Sequence, residues 1–173
     1  MYYTYKLGLE KITMKYYFKK IDSPIGMLYV VATSQHLVGL VPEIGWSRLK
    51  KRFNGLVESD NDIINKTQYQ LAEYFEGIRQ KFDIPISLSG TDFQKSAWGA
   101  LMEIPYGETI SYGEQAKNIG SPRAMRAVGG ANGANPISIV VPCHRVIGKS
   151  GKLTGYASGL DIKRFLLELE NSN

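Results

Sequence analysis

Ser111-Tyr112-Gly113-Glu114-Gln115-Ala116-Lys117-Asn118-Ile119-Gly120-Ser121-Pro122-Arg123-Ala124-Met125-Arg126-Ala127-Val128-Gly129-Gly130 spells two short helices joined by a tight turn. Ser111 and Glu114 have the spacing of a capping box, in which each side chain satisfies a backbone N–H left open at a helix start. That helix runs to about Asn118, Ile119-Gly120 turns the chain, and Ser121-Pro122 reads as an N-cap followed by proline at the first helical position. In the second helix Arg123 and Arg126 lie three apart on one face, beside the slim residues Ala124, Ala127, Gly129 and Gly130. Such a pair is either an ordinary αα-corner or a nucleic-acid-binding helix-turn-helix. Slim residues beside arginine favour the second reading, because a helix of little bulk can approach a groove closely while arginine contacts phosphate or fills a gap in the base stack.

Upstream, Thr91-Asp92-Phe93-Gln94 forms another capping box, and Phe93, Ala97 and Leu101 recur every four residues until Pro105-Tyr106-Gly107 ends that helix. Downstream stands Ile139-Val140-Val141-Pro142-Cys143-His144-Arg145-Val146-Ile147, which holds the only cysteine among 173 residues. A lone thiol can neither close an intramolecular disulfide nor supply a multi-cysteine zinc site, so its special role, if any, is that of a nucleophile; otherwise it is a buried, inert gap filler. Past the glycine-rich loops around Ser150-Gly151 and Gly155-Tyr156-Ala157-Ser158-Gly159, Asp161 caps a last helix. There Ile162, Phe165, Leu166 and Leu169 form an apolar stripe, with Leu160 and Phe165 as a hydrophobic staple and Glu170 at its edge.

The N-terminal part has another texture. Tyr16-Tyr17-Phe18, Met27 to Ala32 and Leu37 to Val41 alternate with turns at Asp22-Ser23-Pro24-Ile25-Gly26 and Ser34-Gln35-His36, which predicts a small antiparallel sheet. A basic helix over Trp46–Phe53 follows, then a helix from Ile63 to Gly77 with Ile64, Gln68, Leu71 and Phe75 on one face. Lys81 to Gly90 reads as a crossing between two lobes. The expected class is therefore α/β in the α+β sense, with an N-terminal unit at 1–88 and a mostly helical one at 89–173. Residues 1–13 read as a possible extension before Met14. Apolar content of 43% with 11% aromatic is enough for a real core. A net charge of +5 favours a polyanionic partner without demanding one. No stretch approaches the length of a membrane span, and the start lacks a secretory signal core, which points to an intracellular, cytoplasmic protein that keeps its thiol reduced. His36, the other histidine, reads as a surface turn residue.

From Ile104 to Leu169 the chain resembles the 6-O-methylguanine-DNA methyltransferases, single-turnover DNA-repair alkyltransferases. The match is carried by Ile104-Pro105-Tyr106-Gly107-Glu108-Thr109, Ser111-Tyr112-Gly113, Arg126-Ala127-Val128-Gly129, Asn135-Pro136, Pro142-Cys143-His144-Arg145-Val146-Ile147 and Gly159-Leu160 onward. The opening Ile21-Asp22-Ser23-Pro24-Ile25-Gly26 extends it to the N-terminal part, with a ribonuclease H-like lobe implied. The resemblance implies Cys143 as the nucleophile and methyl acceptor, since a soft thiolate suits displacement at an unactivated carbon. It implies His144 acting through a water, Glu170 fixing its tautomer, and Asn135 holding the active-site turn. Arg126 would fill the gap left by a flipped nucleotide, and Tyr112 would rotate the phosphate and contact the base. Ala124, Ala127 and Gly129 would line the groove, with Ser111 opening the first helix. The carbonyls of Cys143 and Val146 would accept from the guanine amino group, and the backbone near Ala157 and Ser158 would face the alkylated oxygen.

The implied partner is duplex DNA bearing an alkylated guanine, and alkylated thymine is a further possible substrate. No cofactor, metal or obligate protein partner is implied, and the expected state is a monomer. Two positions depart from common family choices. Ala157 stands where some relatives have serine, and Ser138 stands where proline is frequent, which would reshape the pocket wall. Competing readings are a cysteine-free type of lesion-binding module, against which Cys143 itself argues, a Cys-His hydrolase, for which adjacent residues diverge too much, and a sequence-reading transcription regulator.

Overall fold

The computed structural model describes residues 14–171, so the suggested extension 1–13 lies outside the described residues. Three antiparallel strands, β1 (Tyr16–Ile21), β2 (Leu28–Ala32) and β3 (Leu37–Pro42), form where the alternating pattern predicts them. The Pro24–Gly26 turn closes with Gly26 in the left-handed region at φ 91°. β4 (Leu56–Glu58), too short to read from sequence, adds parallel to β1 and gives the order β3-β2-β1-β4.

Helix α1 (Glu43–Leu49) begins three residues before the expected Trp46 and ends in a 3-10 turn at Lys50–Arg52. α2 (Asp62–Phe75) is capped by Asn61, whose side chain accepts from the Ile64 N–H at 2.8 Å. Its buried stripe is Ile64, Thr67, Leu71 and Tyr74, while Gln68, expected on that face, is exposed. The apolar face of α2 and one face of the sheet meet residues of the C-terminal half in one core, which includes Leu40, Trp98, Ile137 and Leu166. The other face of the sheet is covered by α1, with Trp46 stacked on Tyr29 at 4.5 Å between ring centroids.

In the C-terminal half, α3 (Asp92–Met102) and α4 (Tyr112–Asn118) both start with the expected capping boxes, at Thr91/Gln94 and Ser111/Glu114. α5 (Met125–Gly133) departs from expectation. Ser121 is not its cap: the Ser121 carbonyl accepts from the Ala124 N–H at 2.8 Å, closing a turn, and helical bonding begins at Ala124. Arg123 thus sits in that turn rather than on the helix. A reciprocal amide pair, Gln115 with Asn132 at 2.7 and 3.0 Å, locks α4 to α5, and Gln115 also donates to the Ala97 carbonyl of α3. Trp98 donates to the Ala131 carbonyl at 2.8 Å. α6 (Leu160–Asn171) starts two residues earlier than a cap at Asp161 implies, so Leu160 is its first residue, 41% exposed, rather than the residue preceding a cap as the staple with Phe165 requires. β5 (Ile110–Ser111) and β6 (Val146–Ile147) pair in parallel, tying the start of α4 to the segment after Cys143. Among the described residues no helix is long and apolar enough to cross a membrane.

The two halves are sewn together by backbone. Leu40 of β3 donates to the Pro136 carbonyl at 2.8 Å and accepts from the Ser138 N–H at 2.7 Å, while Leu37 and Ser87 bond across the crossing segment. The edge of the N-terminal sheet therefore carries the turn that leads to the cysteine.

Candidate active site

Cys143 opens a 3-10 turn, Cys143–Arg145, and is 7% exposed. The approach to it is strained. Ile139, β-branched and buried, has φ 71°, a conformation that non-glycine residues of this shape avoid at a cost of about 1–3 kcal/mol. Asn135 over-determines this turn. Its Nδ2 donates to the Val141 carbonyl at 2.8 Å and to Cys143 Sγ at 3.2 Å, and its Oδ1 accepts from the Ile137 N–H at 3.0 Å. Burial pushes the Cys143 thiol up, and the Asn135 amide and the Lys163 cation only partly offset this. A thiol in this setting needs help to ionise.

His144 is fully buried, with Nε2 at 2.8 Å from Glu170 Oε1. An ionised carboxylate only accepts, so Nε2 carries the proton and Nδ1 is left as an acceptor. Nδ1 is buried with no hydrogen-bond partner among the described residues. Burial holds the imidazole below its ordinary value and outweighs the opposing pull of Glu170, so His144 is neutral near pH 7.

Glu170 is the hub. Burial alone would raise its carboxyl, but hydrogen bonds from His144 and Arg145 bring it down to about 2. Arg145 clamps it through Nε at 2.9 Å and Nη2 at 3.0 Å, the Gly107 N–H donates at 3.2 Å, and Tyr74 Oη donates to Oε1 at 2.7 Å. Tyr74 comes from α2, so the N-terminal half reaches into this cluster. Arg145, Tyr74 and Gly107 escaped sequence reasoning. Tyr74 looked like one more core aromatic, and the clue for Arg145 was that an arginine in an apolar run needs a buried anion.

Lys163 was also missed. It is 0% exposed in the first turn of α6, donating to the Val146 carbonyl at 2.6 Å and the Thr154 carbonyl at 3.0 Å. Its ammonium lies 5.8 Å from the Tyr112 ring centroid and 6.0 Å from that of Tyr156, and burial lowers its pKa. The Val146 carbonyl, expected to receive a base, thus already accepts from Lys163.

A cavity of about 720 Å³ opens beside the Tyr112 and Tyr156 rings that flank Lys163. Tyr112, Arg126, Gly129, Tyr156 and Ala157 line it, while Ser111 and Lys117 border a neighbouring hollow with Tyr112. Tyr112 Oη sits 3.0 Å from both the Thr154 and Gly155 carbonyls. Cys143 does not itself line the cavity, but Tyr112 and Tyr156 of its lining, and Lys163, are within electrostatic reach of the thiol. Ala127 is exposed on α5 and Ala124 half-buried at its cap, but neither lines the cavity, and nor does Ser158. Ser138 does not form its wall either, being buried and bonded to β3. His36 is half-buried in its turn, away from the cluster.

The sequence pattern of 6-O-methylguanine DNA methyltransferase, DNA binding domain, matches residues 92–172, and that of the same family's ribonuclease-like domain matches residues 16–88. The chain belongs to the 6-O-methylguanine DNA methyltransferase family. A relative from Methanosarcina acetivorans, named methylated-DNA--protein-cysteine methyltransferase, is 50% identical over 159 residues, covering 90% of this chain and 99% of its own length. A Mycobacterium tuberculosis relative of the same name is 48% identical over 164 residues, covering 90% of this chain and 93% of its own length. The crystal structure of Mycobacterium tuberculosis OGT in complex with DNA superposes with a TM-score of 0.82 at 49% identity, covering 90% of this chain and 93% of that one. In this family member the sheet, the helical half and the cysteine cluster are one continuous packed unit.

Proposed function

We propose that this protein repairs DNA by direct reversal, moving the alkyl group of a 6-O-alkylguanine irreversibly onto Cys143. The observation that carries the reading is the buried His144–Glu170 pair directly after Cys143 in sequence, in which the carboxylate fixes the imidazole so that its acceptor, Nδ1, belongs to the residue next to the thiol. The thiol proton passes to Nδ1, directly or through a water. The sulfur then forms a bond to the alkyl carbon as the carbon–oxygen bond breaks, the electron pair goes to the guanine oxygen, and the imidazolium returns a proton to the base. The products are guanine and S-alkylcysteine. A thioether is not displaced by water, so each molecule acts once.

Helices α4 and α5 act as the helix-turn-helix that enters the minor groove, with the exposed Arg126 taking the place of the flipped nucleotide and Ala127, Gly129 and Ala124 keeping the approach close. The flipped base enters the cavity lined by Tyr112, Tyr156 and Ala157, and for this Tyr112 exchanges its carbonyl partners for the phosphate or the base. The carbonyls of Cys143 and Val146 read the guanine amino group, and the loop at Ala157 and Ser158 faces the departing oxygen. Ser111 sets the start of α4 by capping it. The protein acts as a monomer inside the cell, where a lone thiol stays reduced. The test is transfer of a radiolabelled methyl from a duplex carrying 6-O-methylguanine. Cys143→Ala is expected to take up no label while still binding the duplex, and label retained on that variant would refute the assignment.

A further inference from the structure

We propose that the N-terminal lobe is part of the DNA-binding surface, with Arg48 of α1 holding a phosphate of the same duplex that α5 engages. This deepens the DNA-repair reading above and rests on it. The cavity that contains Tyr112 and Arg126 is closed at one side by Arg48, among the described residues the one of the N-terminal half that lines it. A second, smaller hollow of about 130 Å³ continues from there, between Gly45, Arg48 and Arg52 on one side and Ala134-Asn135-Pro136 on the other. Arg48 therefore stands where the end of α5 meets the N-terminal sheet, across the cavity from the base-receiving loop.

Its chemistry fits phosphate. Arg48 is exposed and, among the described residues, no carboxylate pairs with it and no backbone carbonyl accepts from it. In the N-terminal half and the last helix the other arginines are committed, Arg79 to Glu73, Arg164 to Asp161, and Arg52 to the Ser89 carbonyl, so among the described residues Arg48 shares its unpaired, exposed state only with Arg123 and Arg126 around the start of α5. Arg52 is close enough to Arg48 for its charge to be felt, and Lys50 and Lys51 complete four cations within five residues. Such a group raises its own electrostatic energy in the free protein and is relieved by an anion.

The dimensions agree. α5 has nine residues, about 13 Å of axis, with Arg126 near its start and Arg48 facing its end at Gly133 and Ala134. Duplex DNA presents one negative charge per about 1.7 Å of its axis, so a duplex held along α5 brings phosphate to both ends of that helix. Arg126 works inside the duplex in this arrangement and Arg48 outside it, which gives Arg48 no role in reading the lesion.

The test is a salt series of duplex binding in a Cys143→Ala background, which prevents reaction, using one duplex with 6-O-methylguanine and the same duplex undamaged. Arg48→Ala is expected to weaken both duplexes several-fold and by the same factor, and to make the plot of log affinity against log salt shallower by about 0.9. Arg48→Lys is expected to keep the slope of the parent. Because Arg48 has no partner to lose, Arg48→Ala is expected to unfold with the parent. Parent-like affinity and slope in Arg48→Ala overturn the inference while leaving the repair reading intact. Failure of the parent itself to bind duplex overturns the repair reading and the inference with it.

Discussion

Glu170 carries five hydrogen bonds on two oxygens, and its position in the chain gave little hint of this. Its carboxyl is about 2 when folded, below the ordinary 4.5. A depressed carboxyl adds stability that is fully present above its unfolded value and is lost as pH falls toward the folded one. The protein is therefore expected to lose on the order of 3 kcal/mol between pH 5 and pH 2 through this one group, and Glu170→Gln, already weaker at pH 7, to show a flatter dependence in denaturant melts over that window. Tyr74→Phe removes a single donor from Glu170 Oε1 without changing the core shape. His144 is faced by Glu170, Arg145 and Lys163, and loss of the tyrosine donor leaves more carboxylate charge for the imidazole, raising its basicity. The acid limb of the single-turnover pH profile is then expected to move to higher pH, and an unmoved limb would reduce Tyr74 to a packing residue. The Pro-Cys-His-Arg run was specific enough to single out Cys143 and His144 as candidates. Tyr74 and Lys163 were not, since their roles depend on contacts 96 and 17 residues away along the chain.

At the scale of elements, helices with side-chain caps were read well. Thr91 and Ser111 start α3 and α4 because their hydroxyls satisfy N–H groups that would otherwise be open. α5 was misplaced because Ser121-Pro122 suits a turn as well as a helix start, and only the Ala124 to Ser121 bond decides between them. β4, β5 and β6 span two or three residues each, too few for a period to show. The Ser138 departure acquires a physical meaning at this scale. Its N–H donates to Leu40 at 2.7 Å, a bond that proline cannot make. Ser138→Pro is expected to cost about 1–3 kcal/mol in chemical denaturation, because it leaves the buried Leu40 carbonyl without that donor. Equal or greater stability in the proline variant would show that the seam between β3 and the active-site turn does not depend on this bond.

For the whole molecule, the sheet and the helical half share one core, and Tyr74, Leu40 and Arg48 link the N-terminal part to the Glu170 cluster, the turn before Cys143 and the cavity respectively. The two-part texture of the chain was legible in its switch from alternating to helical spacing. The union of the parts was not, because it is made by backbone bonds and by single side chains that no periodicity marks. The account as a whole stands on Cys143 accepting one alkyl group and keeping it. Intact-mass spectrometry after mixing with a small excess of duplex carrying one 6-O-methylguanine, followed by peptide mapping, measures this directly. The account predicts a gain of one methyl per protein, saturating at that ratio and located on Cys143, and tight lesion binding with no gain in mass would contradict it.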